Sequence, residues 1–119
     1  MEYIRDGLLR NFDCNVILVD WYTGSLPPYV QAAGNTRLVG VMIAELIKFL
    51  ISKAQSSVEL FHVVGFSLGS HIAGYCGTRL KQEGLILERI TGEFGIEYAC
   101  SNRLLKARTI FISSFFDDY

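Results

Sequence analysis

Apolar residues along the chain change spacing several times, and each change marks an expected element. Tyr3, Ile4, Leu8 and Leu9 recur at helical intervals between charged residues, so residues 2–12 read as a short amphipathic helix. Residues 14–20, CNVILVD, are aliphatic without a polar alternation, which suits a short strand buried on both faces, as in parallel sheets. A turn-rich stretch, TGSLPP at 23–28, follows, with proline suited to the first turn of a helix. From residue 29 to 53 the charged residues Arg37, Glu45, Lys48 and Lys53 project from half of a helical wheel at roughly 100° per residue. The wide apolar face left over is expected to lie on a sheet.

A second buried strand is expected at 59–65, ELFHVVG, and a second crossover helix at 68–83, LGSHIAGYCGTRLKQE, ended by Gly84. LILERI at 85–90 reads as a third strand. Strand, helix, strand, helix, strand is the order of an α/β unit with a mostly parallel sheet and crossover helices. After Gly92 no period is visible until the apolar run TIFISSFF at 109–116, which suits an extra strand and would be an aggregation hazard if left unpaired. Residues 1–92 therefore read as the α/β domain and 93–119 as a divergent C-terminal tail.

Composition removes several classes of function. The chain has 119 residues, 50% of them apolar, which is enough for one domain with a core of its own. Eleven basic residues against twelve acidic ones leave a net charge of −1, so the basic footprint of a nucleic-acid binder is missing. No transmembrane segment is expected, since charges interrupt every apolar stretch well short of the roughly 20 residues a spanning helix needs. The N-terminus, MEYIRDGLLRNF, puts Glu2, Arg5, Asp6 and Arg10 where a signal peptide would have its apolar core, so no export signal is read there. Cys14, Cys76 and Cys100 are odd in number and lack CxxC spacing. They suggest neither a metal site nor a closed disulfide framework, and no cofactor is called for.

The chemistry concentrates in Gly65-Phe66-Ser67-Leu68-Gly69, which fits GxSxG between an aliphatic strand and a helix. That context is what the nucleophile elbow of an α/β-hydrolase requires: a serine on a strained turn, its Oγ clear of the sheet. The glycines two residues either side have a steric reason, because strand and helix backbones pass closely there. Leu68 would act through its backbone, its N–H serving as an oxyanion-hole donor at the helix N-terminus. Ala73, Gly74 and Gly77 would let the helix lie close to the sheet. His62 is about 16 Å from Ser67 along an extended strand and cannot serve it as a base. His71 follows Ser67 by one helical turn and is expected to point into the packing of helix on sheet. Both histidines read as core residues.

Four stretches between Asp13 and Gly92 resemble the pancreatic lipase family: NVILVDW at 15–21, QAAGNTRLVG at 31–40, FHVVGFSLGSHIAGY at 61–75 and RITG at 89–92. The resemblance implies a partial α/β-hydrolase fold, with Ser67 as nucleophile, Leu68 as oxyanion donor, and Asp20 and Trp21 ending a structural strand. In that family RITG leads directly into the segment holding the triad acid. Here Glu93-Phe94-Gly95 follows, with Phe94 in the acid's place and Glu93 one position off, which turns a side chain the other way. The family's His-Gly segment would fall before Met1, and its catalytic histidine and lid after the point of divergence.

The resemblance thus implies a serine carboxylic ester hydrolase acting on a lipid ester or lipid interface, outside the cell. This truncated chain by itself is expected to be inactive, because losing triad members costs on the order of 10⁶ in kcat and an oxyanion donor another ~10². The alternatives are a catalytically dead, lipase-like lipid- or protein-binding protein, or a fragment with no function of its own.

Overall fold

The computed structural model describes residues 2–26, 28–92, 97–99 and 109–114. Helix α1 (Glu2–Asn11) precedes strand β1 (Asn15–Val19), and the turn-rich stretch contains a single helical turn, α2 (Tyr22–Ser25). The long helix α3 (Tyr29–Lys53) leads through a short 3₁₀ turn at Val58–Leu60 into β2 (Phe61–Phe66) and then α4 (Leu68–Gln82). Strands β3 (Arg89–Gly92), β4 (Glu97–Ala99) and β5 (Thr109–Ser114) follow. Their order across the sheet is β1-β5-β2-β3-β4, parallel except for the β3–β4 pair. The α/β architecture expected from the spacing of apolar residues is therefore the one formed.

The crossover from β1 through α3 to β2 does not join neighbours. It leaves a slot one strand wide, and β5 fills it, pairing with β1 from Asn15↔Thr109 to Val19↔Ser113 and with β2 from Phe61↔Thr109 to Phe66↔Ser114. Ile110, Phe111, Ile112 and Ser113 are buried almost completely. An apolar run that would be hazardous at an edge is thus paired on both sides, where both of its faces lie against other residues.

The third strand differs from its expected position. Leu85–Glu88 is not strand, because Gly84 at φ +78° and the bond from Leu85 N–H to the Leu80 carbonyl close the preceding helix first. Pairing begins where the chain draws level with His62, at Arg89, and runs to Gly92 opposite Gly65.

One face of the sheet carries the main core. Val63, Phe61 and Phe111 meet Ile43, Ala44 and Ile47 of α3 and Leu68, Ile72, Ala73, Cys76 and Leu80 of α4. Helix α3 is expected on the sheet, but much of its buried stripe lies along α4 instead. A Cβ on Gly40 would sit 2.8 Å from the Ile72 carbonyl and 2.7 Å from Cβ of Tyr75, so the two helices touch backbone to backbone. Its apolar face is wider than the interface: Leu38, Met42 and Phe49 remain 63%, 62% and 55% exposed. Toward their C-terminal ends α3 and α4 are joined by charge, with Lys48 Nζ 2.6 Å from Glu83 and Arg79 bridging Glu83 at 3.0 Å and Glu45 at 3.5 Å.

The opposite face is smaller. Val64, Ile110 and Ile112 pack with Val16, Leu18, Phe66, Cys14 and Leu8, so α1 covers this side. Of the four apolar positions that predict an amphipathic α1, only Leu8 packs on the sheet, while Tyr3, Ile4 and Leu9 stay exposed. Among the described residues no helix is long and apolar enough to cross a membrane.

Candidate active site

The turn from β2 into α4 holds Ser67 at φ 53° and ψ −123°, a backbone conformation that L-residues seldom adopt. A serine just before a helix ordinarily has an extended backbone, and its hydroxyl accepts from the first-turn N–H groups. Ser67 does neither, because its φ is positive and its side chain makes no capping bond to the helix. The helix-cap explanation for this serine therefore fails, while the strained strand-to-helix bend of an elbow fits.

The bend is held by its neighbours. Ser70 N–H donates to the Ser67 carbonyl at 2.9 Å, and Ser70 Oγ donates to the Gly65 carbonyl at 3.0 Å. A Cβ on Gly65 would collide with the Gly69 carbonyl and lie 2.6 Å from the Ser70 nitrogen. The steric reason for Gly65 is thus the one expected. Gly69 is constrained differently: its missing Cβ would meet the Ser113 carbonyl of β5, not the β2 backbone. Sequence reasoning missed Ser113, because nothing local to residues 65–69 signals a strand arriving from the far end of the chain.

Ser67 is half-buried, and the Leu68 side chain is buried in the main core. As the first residue of α4, Leu68 has one of the N–H groups that no helical carbonyl can satisfy, at the positive end of the helix dipole. A hydroxyl at a strained bend beside such a donor is an arrangement for attacking a carbonyl and holding the resulting oxyanion.

The histidines stand apart from this site. His62 is buried in mid-sheet with its Nε2 2.9 Å from Thr91 Oγ1, and its Nδ1 has no partner among the described residues. Burial, helped by the charge of Arg89, lowers its pKa to about 4. It is the core histidine expected. His71 is not, since it is exposed on the outer side of α4. The buried set Leu68, Gly69, Ile72, Ala73, Cys76 and Leu80 spans an arc whose centre lies about 130° around the helix from His71. Gly74 also faces open space, so only Ala73 and Gly77 serve the close approach to the sheet, Gly77 against the end of the Ile90 side chain.

Asp20 and Trp21 do close a strand: the Asp20 carboxylate accepts from Tyr22 N–H at 2.9 Å, and Trp21 is buried. Cys14 and Cys76 are free thiols. Burial pushes the Cys76 pKa up to about 12, which makes it inert at neutral pH. Glu93, Phe94, Gly95 and Cys100 lie outside the described residues.

The family model described as Lipase matches residues 2–100. Mouse pancreatic lipase-related protein 2 is 50% identical over 78 residues, covering 66% of this chain and 16% of that protein. Pig pancreatic triacylglycerol lipase is 45% identical over 92 residues, 77% of this chain and 20% of the relative. Mouse inactive pancreatic lipase-related protein 1 is 42% identical over 80 residues, 67% of this chain and 16% of the relative. No solved structure matches. The chain therefore spans between a sixth and a fifth of the length of the curated relatives it matches. With its elbow, its parallel sheet and a match over nearly all of its first hundred residues, the chain belongs to the lipase family.

Proposed function

We propose that Ser67 is the nucleophile of a lipid-ester hydrolase acting outside the cell, and that Leu68 N–H is one of its oxyanion donors. The backbone of Ser67 carries this reading: φ is 53° while the hydroxyl caps nothing, a strain that a purely structural serine has no cause to bear. In the reaction Oγ of Ser67 bonds to the ester carbonyl carbon and gives its proton to a general base. The carbonyl electron pair moves onto the oxygen facing Leu68 N–H. Collapse of this intermediate breaks the bond to the alcohol, which leaves with the proton, and water then releases the acid from the acyl-serine.

The base and its acid partner come from outside the described residues. His62 lies in mid-sheet and His71 faces away from the core, so neither is placed for the task. The isolated chain is accordingly assigned negligible turnover, on the order of 10⁶ below a complete triad. Incubation of the purified chain with a fluorophosphonate, followed by intact mass and peptide mapping, tests the nucleophile. A slow single adduct on Ser67, absent in Ser67→Ala, is the expected result. Adduct on other residues only, or rapid ester hydrolysis undiminished in Ser67→Ala, would overturn it.

A second reading is favoured by one observation: a relative at 42% identity carries the word inactive in its name. In that case the fold binds lipid without hydrolysing it. Titration with a fluorescent lipid together with fluorophosphonate labelling separates the two, since a slow adduct on Ser67 supports the first reading and lipid binding with no Ser67 adduct supports the second.

A further inference from the structure

Ser113 plays no part in the chemistry above, yet it lies where the last strand meets the elbow. It is 1% exposed, and it pairs in register with Gly65 of β2 on one side and Val19 of β1 on the other. Its carbonyl lies against the Cα of Gly69, and its Oγ donates to the Gly69 carbonyl at 3.4 Å. That same Gly69 carbonyl is the group crowding Gly65. The Gly69 peptide is therefore gripped from two strands at once, two residues beyond Ser67.

We propose that Ser113 is a positioning residue for the Ser67 elbow, seating the first turn of α4 through Gly69 and so setting the direction of Leu68 N–H. The proposal rests on Ser67 as nucleophile. β5 cannot yield to the helix, because it is hydrogen-bonded along its length to β1 and β2. The strand also changes character at the right place. Phe111 fills the core below α4, and two residues on, where the helix N-terminus comes closest, the same face presents a small hydroxyl in place of a large apolar group. A bulky side chain at 113 would push Gly69 away. An alanine would keep the space and lose the bond.

The test uses the full chain and two local readouts: hydrogen exchange at the Leu68, Gly69 and Ser70 amides, and the rate of Ser67 phosphonylation by a fluorophosphonate. Ser113→Ala is expected to speed exchange at these three amides about twofold, the factor set by a long hydrogen bond at the low end of the usual net range, and to slow phosphonylation by a similar factor. Amides of β1 and α3 should not change. Ser113→Thr, which restores the hydroxyl on a residue suited to strands, should return both readouts to the starting values. Unchanged exchange at 68–70 in Ser113→Ala, or an equal rise throughout β1 and α3, would overturn the assignment. If Ser113→Ala does not fold, the threonine variant decides: a match to the original chain supports the proposal and raised exchange at 68–70 ends it. No adduct on Ser67 of the unmodified chain, with the exchange pattern intact, would remove the nucleophile reading and leave the seating of α4 standing.

Discussion

The backbone of Gly65 at the end of β2 runs directly against the carbonyl of Gly69 in the first turn of α4, leaving no room for a methyl group at residue 65. Backbone cannot rotate out of the way as a side chain can, so Gly65→Ala should cost about 2–3 kcal/mol, toward the upper end of overpacking effects. For a chain of 119 residues each kcal/mol moves the thermal midpoint by about 4 °C. Gly74→Ala is the control, because nothing lies within 4 Å of its missing Cβ. In mid-helix it should stabilise by about 0.5–1 kcal/mol. Thermal melts of the two variants should therefore move in opposite directions.

Strain at Ser67 predicts a gain on its removal. Glycine adopts a positive φ without penalty, whereas alanine keeps the Cβ that makes it costly. Ser67→Gly should be about 1 kcal/mol more stable than Ser67→Ala in urea titrations, although both lose the hydroxyl. Equal midpoints would mean that the bend holds no strain.

The depressed pKa of His62 predicts a pH dependence of stability. Unfolded, this imidazole takes up a proton near pH 6.5, and in the fold only near pH 4, chiefly because burial disfavours its charged form and secondarily because Arg89 is close. Between those values the unfolded chain binds the extra proton, so stability contributed by neutral His62 is complete above pH 6.5 and declines as pH falls toward 4. The full effect is on the order of 3 kcal/mol by linkage. His62→Gln, which can still reach Thr91, should show a much flatter urea midpoint from pH 7 to 4.5 than the unmodified chain. Parallel curves would place the pH dependence elsewhere.

Two positions on α3 should differ sharply although only two residues apart. Gly40 faces the α4 backbone, 2.8 Å from the Ile72 carbonyl and 3.1 Å from the Cys76 nitrogen as measured from its missing Cβ. Gly40→Ala should cost about 1–3 kcal/mol by forcing the helices apart. Met42 is 62% exposed, and Met42→Ala should change stability by no more than about 0.5 kcal/mol. Chemical denaturation of both variants checks the pair.

Much of this was readable from residue order alone. The bounds of α3 fall where the apolar spacing places them, α1, β1, β2 and α4 lie within a residue or two of their expected positions, and Ser67 lies at the predicted bend. Helical periodicity, strand-forming runs and glycine-flanked turns act between residues close in the chain, so their outcome is written locally. The start of β3 was less legible, because pairing with His62, not the composition of LILERI, decides where that strand begins.

Tertiary structure alone decided the rest. Nothing in TIFISS states that it will enter the sheet between β1 and β2, and the role of Ser113 against Gly69 follows only once it does. The rotation of α4 likewise came from packing, since the buried arc that includes Ile72 and Cys76 turns His71 outward. Strand order and helix rotation depend on contacts between segments far apart in the chain, where many arrangements satisfy the same local pattern and only the jointly packed core selects one.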